Sequence, residues 1–132
     1  MKSEPDVFSY DDLVKKGREH WDGVRNYTAR NNMRTMKIGD IALFYHSNID
    51  KAVVGLMTIV AEAYQDPTTI ETAWVCVDVA PLEKLKHPVF LSEIKNNPKL
   101  ADMKLIKQSR LSIIDISKAE FNEIIKMSTA KK

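Results

Sequence analysis

The 132-residue sequence contains one cysteine, only four glycines and no apolar run near the roughly 20 residues that span a bilayer. The lone Cys76 cannot form an intramolecular disulfide, which is typical of a reducing compartment. None of the glycines lies in a G-x-G or G-x-x-x-x-G-K pattern, so no glycine-rich phosphate loop is expected. These absences argue against a disulfide-stapled domain and a P-loop nucleotide site, and they predict a soluble intracellular protein.

Metal and catalytic motifs are also missing. The three histidines, His20, His46 and His87, share no ligand spacing, and one cysteine cannot complete a zinc ribbon. His46-Ser47 could belong to a hydrolytic triad, but Ser47 follows an ordinary strand pattern rather than a nucleophile elbow. We therefore expect no metal, no cofactor and no catalytic residue.

Charge is unevenly distributed, although the formal net charge is only +2. Acids crowd residues 4–22 and 62–83, whereas residues 23–39 carry four cations, three asparagines and no acid. Such a sequence does not coat duplex DNA through bulk electrostatics. It does predict a local positive face that contacts a limited number of phosphates.

Local patterns predict four helices and four strands. The first helix is expected between the N-cap Ser9 and Gly17, and the last begins at the S-x-x-E capping box that starts at Ser117. A turn at Asp66-Pro67-Thr68 separates two strands rich in Val, Ile and Thr. The expected helices cover residues 10–16, 26–36, 91–96 and 117–127, and the expected strands cover 41–46, 52–64, 72–80 and 109–113.

These elements predict an α+β fold, a small mixed β-barrel with flanking helices, formed as one domain over residues 1–132. Regular strand–helix alternation, which a doubly wound sheet needs, is absent. Apolar residues on both parities of 53–57 and 74–77 predict strands covered on both faces. Gly55 marks a bulge or a close backbone approach, and the Lys131-Lys132 end is expected to fray.

Polar and aromatic residues of the basic segment suggest a binding surface. Trp21 lies among polar residues, where we expect a half-exposed ring that stacks on a base; an aromatic plug over the barrel mouth is an equal alternative. The asparagines Asn26, Asn31 and Asn32 could equally cap helices, and Arg25, Arg30 and Arg34 could form a solvated helix face.

Six separated motifs follow one another along the chain: MKSEP, WDGVRNYTARNNMRTMKIGD, LFYHSN, VVGLMTIV, DPT and LIKQSRLSI. In this order they resemble the EVE domain family over residues 1 to about 127. The family usually has a tryptophan two or three residues before Lys-Ser-Glu-Pro, a position that this sequence does not contain, and Thr28 stands where glutamine is usual.

The resemblance implies a PUA-like fold, a class that includes YTH and SRA domains, which hold a modified base in an aromatic-lined pocket. It implies a non-catalytic reader of modified bases such as methylated or hydroxymethylated cytosine. Phosphate contacts are assigned to Arg25, Arg30 and Arg34. By motif, the base-pocket residues are Lys2, Ser3, Trp21, Asn26, Asn31, Tyr45, His46, Ser47, Arg110 and Ser112.

The expected partner is RNA or DNA that is single-stranded or carries a flipped modified base. No association with a membrane is expected. A prokaryotic protein of this kind is expected in the cytoplasm and a eukaryotic one in the nucleus. Two rival functions rank below the reader. One is an enzyme acting on RNA or a modified nucleotide through His46, Ser47 and Lys2; the other is a protein–protein adaptor anchored by Trp21 and Tyr45. The sequence leaves the modification and the oligomeric state open.

Overall fold

The computed structural model describes residues 1–49 and 51–130, without the side chain of Ala130. Its centre is a five-stranded mixed sheet in the order β1-β3-β4-β5-β2, in which β1 runs parallel to β3 and the other pairs are antiparallel. The strands are β1 (Lys2–Ser3), β2 (Glu19–His20), β3 (Ile41–His46), β4 (Ala52–Gln65) and β5 (Val75–Phe90). The helices are α1 (Tyr10–Lys16), α2 (Tyr27–Arg34), α3 (Leu91–Asn96), α4 (Lys104–Lys107) and α5 (Lys118–Ala130), with a 3₁₀ turn at Pro98–Leu100.

The predicted helix ends are confirmed where capping chemistry defined them. Ser9 accepts a hydrogen bond from the Asp12 backbone and Asp12 accepts one from the Ser9 backbone, while Gly17 ends α1 with a φ of 78°. The same reciprocal pair joins Ser117 and Glu120 before α5. α5 runs beyond the expected end at residue 127, and the predicted fraying of residues 131–132 lies outside the described residues.

Hydrophobic clusters cover both faces of β4, as its apolar pattern predicted. One cluster contains Val54 and Ile59 and extends to α1 and α2. The other contains Val53 and Leu56 and packs against α3 and α5. Because α5 packs against the second face of the sheet, the central strands are buried on both faces.

Gly55 lies where the register between β4 and β5 shifts, and the ring of Tyr10 packs on its backbone. A methyl group built on Gly55 would overlap that ring. The Tyr10 hydroxyl donates to the Leu56 carbonyl at 2.7 Å, which fixes the ring in place. The predicted close approach at Gly55 is confirmed, and its partner is α1.

β5 is ten residues longer than expected at its carboxyl end. The prediction ended at Ala80, and the next residue, Pro81, cannot donate to a sheet ladder. In the structure Pro81 pairs with Met57 while Glu83 pairs with Leu56, so the extra residue Leu82 forms a bulge that accommodates the proline. Pairing to the long neighbour β4 therefore outweighs the local signal.

The strand expected at residues 109–113 is wrong. After α4 the chain makes a turn over residues 108–110 and continues without ladder pairing. One backbone bond, from Lys2 N–H to the Ser112 carbonyl at 2.9 Å, attaches this segment to β1. The β-branched pattern of Ile113-Ile114 instead serves burial, since Ile113 is fully enclosed in the core.

The expected α+β class is confirmed, since helices pack on a sheet without regular strand–helix alternation, but the expected barrel is not closed. Its two edge strands, β1 and β2, have two residues each, and no ladder joins them among the described residues. Residues from both edges nevertheless line one concavity of about 360 Å³. We call this concavity the edge cleft; it is lined by Lys2, Ser3, Val7, Phe8, Glu19, His20, Trp21 and Asp22.

Candidate nucleic-acid interface

β1 positions two residues of the predicted base pocket. Its parallel register places Lys2 beside Tyr45 and Ser3 beside His46. The Ser3 hydroxyl donates to the Phe8 carbonyl at 2.5 Å, which holds the chain that follows β1 over the edge cleft. Lys2 Nζ donates to the Ser109 carbonyl at 2.7 Å, and burial lowers the pKa of its ammonium group.

Trp21 lines the edge cleft, but the expected half-exposed ring is wrong, because the residue is only 8% exposed. The ring meets Phe8 and Phe44 edge-on, with centroids 6.5 and 5.5 Å away. The backbone N–H of Trp21 donates to the Val77 carbonyl at 2.7 Å. The indole is therefore part of the core and, at the same time, part of the wall of the cleft.

Polar groups at the mouth of the edge cleft come from β2 and the residue after Trp21. His20 lies between two carboxylates: Nδ1 is 3.4 Å from Glu19 Oε1 and Nε2 is 3.1 Å from Asp22 Oδ2. Glu19 also pairs with Lys16 at 2.6 Å. The mouth thus presents acceptors that can receive an amino group, beside the cationic Lys2.

A second concavity of about 400 Å³ lies on the other side of β1 and shares Lys2 with the edge cleft. We call it the cationic pocket, because three cations line it against one acid, Glu4. Burial raises the pKa of the Tyr45 phenol in its wall, and Lys2 Nζ lies 6.0 Å from the Tyr45 ring centroid. Its polar and aromatic lining consists of Lys2, Glu4, Tyr45, Ser47, Lys51, Ser109, Arg110 and Ser112.

A third concavity, of about 300 Å³, is mostly apolar and includes only Lys2 and Tyr45 of the predicted set. Its other polar lining residues, Asn32, Thr35, Asp40 and Asp115, were not among the predicted base-pocket residues. Seven of the ten predicted base-pocket residues thus line the edge cleft or the cationic pocket, on the two sides of β1, whereas Asn26, Asn31 and His46 line neither.

His46, the first suspect for an enzyme, is buried at 8% exposure. Its Nε2 lies 3.3 Å from the Tyr10 backbone N–H, which donates to it, and its ring packs edge-on against Phe44. The Ser47 N–H pairs with the Ser3 carbonyl at 2.9 Å. This geometry is that of a core histidine that anchors α1 to the sheet. Among residues 1–49 and 51–130, no group of three His, Cys, Asp or Glu residues could hold a metal ion.

The asparagines of the basic segment have local partners. Asn26 caps α2 by accepting from the Ala29 N–H at 2.9 Å, and the Oδ1 of Asn31 accepts from Arg30 at 2.8 and 3.2 Å. Asn32 donates to the Ile113 carbonyl at 2.7 Å and so attaches α2 to the segment that carries Arg110. Neither Asn26 nor Asn31 lines the two concavities beside β1.

The three predicted phosphate-binding arginines have different environments. Arg25 donates to the fully buried Asp66 at 3.0 Å and to the Thr68 hydroxyl at 3.2 Å. Burial alone would raise the pKa of Asp66, but hydrogen bonds from Thr68, Gly23 and Arg25 outweigh it and hold that pKa well below its usual range. Arg30 and Arg34 lie on α2, where Arg34 is exposed.

Sequence reasoning missed two aromatic residues beside these arginines. Tyr27 is 61% exposed, and its ring centroid lies 5.0 Å from that of Trp74. The i, i+3 spacing of Tyr27 and Arg30 indicated that these two side chains meet on α2. Trp74 is distant in sequence, so no local pattern indicated its contact with Tyr27. Asp22 was also missed, because a lone acid beside a tryptophan has no distinctive pattern.

Comparisons with known proteins identify the family. The family model described as EVE domain matches residues 1–127. The chain belongs to the EVE domain family. A protein of Rhodopseudomonas palustris, solved by NMR, is 45% identical with a TM-score of 0.94; the match covers 100% of this chain and 92% of that one.

Human relatives of this EVE domain are similar over nearly the whole chain. Thymocyte nuclear protein 1 of Homo sapiens is 35% identical, with 96% of this chain and 72% of the relative covered. A crystal structure of the human THYN1 protein in complex with 5-methylcytosine-containing DNA is 35% identical, covers 100% of this chain and 97% of that one, and has a TM-score of 0.92. Within the described residues, no helix is both long and apolar enough to cross a membrane.

Proposed function

We propose that this EVE domain is a non-catalytic reader that holds a modified cytosine of a nucleic acid in the edge cleft. The observation that carries the proposal is the cleft itself, in which an indole, a hydroxyl and two carboxylates meet between the unpaired sheet edges. Its volume of about 360 Å³ lies within the range of small-molecule sites. The solved complex of the human relative with DNA containing 5-methylcytosine supports this ligand class.

The groups of the edge cleft match the chemistry of cytosine. A carboxylate accepts from the exocyclic amino group of cytosine, and Asp22 is the acceptor nearest to Trp21 along the chain. The Trp21 indole, although only 8% exposed, supplies an aromatic part of the wall against which the base can pack. The apolar side chains Val7 and Phe8 offer contact to a 5-methyl group.

The cationic pocket suits the phosphates next to the bound base. Lys2 borders both concavities, and Lys51 and Arg110 extend the positive lining away from the cleft. Phosphate contacts position a nucleic acid without specifying its sequence. Tyr45, Ser47 and Ser112 form the remaining wall, where hydroxyl groups can donate to phosphate or sugar oxygens.

The base must leave the stack to enter a cleft of this shape. Unstacking costs a few kcal/mol and is smallest for single strands or damaged pairs. We therefore propose single-stranded nucleic acid, or a duplex with a flipped modified base, as the partner. The human relative is named as a nuclear protein. We propose a nuclear location for a eukaryotic chain of this kind and a cytoplasmic location for a prokaryotic one.

The test is the variant Asp22→Asn, measured by anisotropy with labelled strands that carry either cytosine or 5-methylcytosine at one position. An amide in place of the carboxylate weakens acceptance from the amino group, so we expect affinity for the modified strand to fall roughly tenfold, about 1.4 kcal/mol. Asp102→Asn is the matched control, because Asp102 is an exposed carboxylate whose partner is Lys107. Equal affinity of Asp22→Asn and the parent chain for the modified strand would place the base outside the edge cleft.

A further inference from the structure

An exposed aromatic pair lies beyond the edge cleft, on the outer side of α2. The rings of Tyr27 and Trp74 are inclined by 34° with centroids 5.0 Å apart, a tilted aromatic contact at the surface. Tyr27 is 61% exposed, and the Trp74 indole N–H donates to Glu71 at 2.9 Å. Most of the Tyr27 side chain is therefore open to a ligand from solvent.

Each ring of the pair contacts one arginine. Arg30 Cζ lies 4.8 Å from the Tyr27 ring centroid, and Arg25 Cζ lies 5.6 Å from that of Trp74. Asn31 and the Ala73 carbonyl hold the Arg30 guanidinium in place. Because it is already ordered, this group loses little conformational entropy when it contacts a phosphate.

Helical spacing extends the same surface. Positions 27, 30, 31 and 34 fall on one side of α2 because residues three, four and seven apart share a helix face, while Ala29 and Met33 are buried on the opposite side. α2 carries no acid. We call the outer surface, formed by Tyr27, Arg30, Asn31, Arg34 and Trp74, the stacking face.

The stacking face fits a nucleotide better than a protein partner. Around Tyr27 the helix presents Thr28, Asn31 and Arg30 and no further exposed apolar side chain of α2. A protein interface normally has a well-packed apolar core around its anchor, and α2 offers no second exposed apolar side chain for such a core. Aromatic rings beside ordered arginines are instead the combination that binds an unpaired base and its phosphate.

The stacking face is close enough to the edge cleft for one strand to reach both. Four residues lie between Asp22 and Tyr27, so five Cα–Cα steps bound their Cα distance at about 18 Å. The connection is clamped, because the N–H of Gly23 and the guanidinium of Arg25 both donate to Asp66, whose own N–H bonds the Trp74 carbonyl. At about 3.4 Å per nucleotide, roughly five nucleotides span that distance.

We propose that the stacking face binds an unpaired base of the same strand whose modified cytosine occupies the edge cleft, and that it does so irrespective of sequence and modification. The proposal rests on the proposed function for its strand partner. It assigns affinity to the stacking face and discrimination to the edge cleft. A mononucleotide then contacts only the cleft, whereas a longer strand contacts both.

The experiment compares Tyr27→Ala and Tyr27→Phe with the parent chain. The ligands are 5-methyl-dCMP and single strands of about thirteen nucleotides that carry cytosine or 5-methylcytosine at the centre, long enough to reach the stacking face from the edge cleft. We expect Tyr27→Ala to weaken both long strands by roughly tenfold and by the same factor, leaving their ratio and the mononucleotide affinity unchanged. Tyr27→Phe keeps the ring and should bind like the parent. Alanine is favourable in a helix, so α2 is retained.

The outcomes separate the two proposals. Unchanged affinity of Tyr27→Ala for the long strands overturns the stacking face, even if the parent prefers the methylated strand. A Tyr27-dependent affinity without any preference for the methylated strand supports the stacking face and overturns the base site in the edge cleft. Loss of binding in Tyr27→Phe as well as Tyr27→Ala would show that the phenol rather than the ring is needed, which overturns stacking.

Discussion

Arg25 Nη1 lies 3.0 Å from Oδ2 of Asp66, a carboxylate that is 0% exposed. The same oxygen accepts the Gly23 N–H at 2.8 Å, and the other oxygen accepts two hydrogen bonds from Thr68. This acid therefore joins the turn after β4 to the segment that leaves the edge cleft. Arg25, expected to bind phosphate, has a structural partner that no local pattern revealed.

Asp66→Ala should destabilise the fold, because it leaves four donors without their acceptor. We expect a loss of about 2–4 kcal/mol in the free energy of unfolding, below the value for a fully buried pair since Arg25 is 39% exposed. Urea denaturation measures it. The exposed Asp102→Ala should change that free energy by less than about 0.5 kcal/mol. A similar small change at Asp66 would show that water replaces these bonds without cost.

Stability should fall in acid through the same carboxylate. The pKa of Asp66 is lower in the folded chain than its ordinary value, so its contribution is present above that ordinary value, near 3.8. The contribution is lost progressively as the pH decreases below about 4, towards the folded pKa. Thermal melts between pH 6 and pH 2.5 should show a steep decrease that is shallower in Asp66→Asn. Parallel pH profiles for the two proteins would contradict the assignment.

Gly55→Ala should destabilise the chain, because the added methyl group overlaps the Tyr10 ring. We expect a cost of about 1–3 kcal/mol, typical of overpacking. Tyr10→Ala removes the obstructing ring, so the same glycine substitution should cost much less in that background. A double-mutant cycle by urea denaturation measures the coupling, and equal costs in both backgrounds would exclude the clash.

Arg34→Gln should weaken nucleic-acid binding without affecting stability, since Arg34 is exposed on the stacking face. A lost phosphate contact lowers the slope of log affinity against log salt by about 1. Lys95→Gln on α3 is the charge-matched control, because Lys95 is exposed and lies outside both concavities beside β1. Equal salt slopes for the two variants would remove Arg34 from the interface.

The sequence predicted the elements that local chemistry specifies. Ser9 and Gly17 defined α1, and the α+β class followed from closely spaced strands and helices that do not alternate regularly. Long-range pairing was not predictable: Pro81 suggested a strand end, yet the bulge at Leu82 lets β5 continue along β4. The open sheet likewise depends on how far two short edges, separated in sequence, curl towards each other.

The candidate site was predicted in part for the same reason. Motifs identified Lys2, Ser3 and Trp21 as neighbours, but not that β1 divides the set between two concavities. The exposure of Trp21 was misjudged because polar sequence neighbours do not reveal packing against Phe44 from another strand. Truncating Trp21 to alanine would therefore disturb the core, and binding tests at this position need conservative substitutions.

The most direct test uses Trp74→Phe, which leaves Trp21 as the sole tryptophan of the chain. Its emission is followed while strands that differ only in one 5-methylcytosine are added, and anisotropy of a strand label reports binding independently. A base in the edge cleft predicts saturable quenching of Trp21 at lower concentrations of the methylated strand than of the unmethylated strand. Saturated binding of the methylated strand with unchanged Trp21 emission would contradict a base site in the edge cleft.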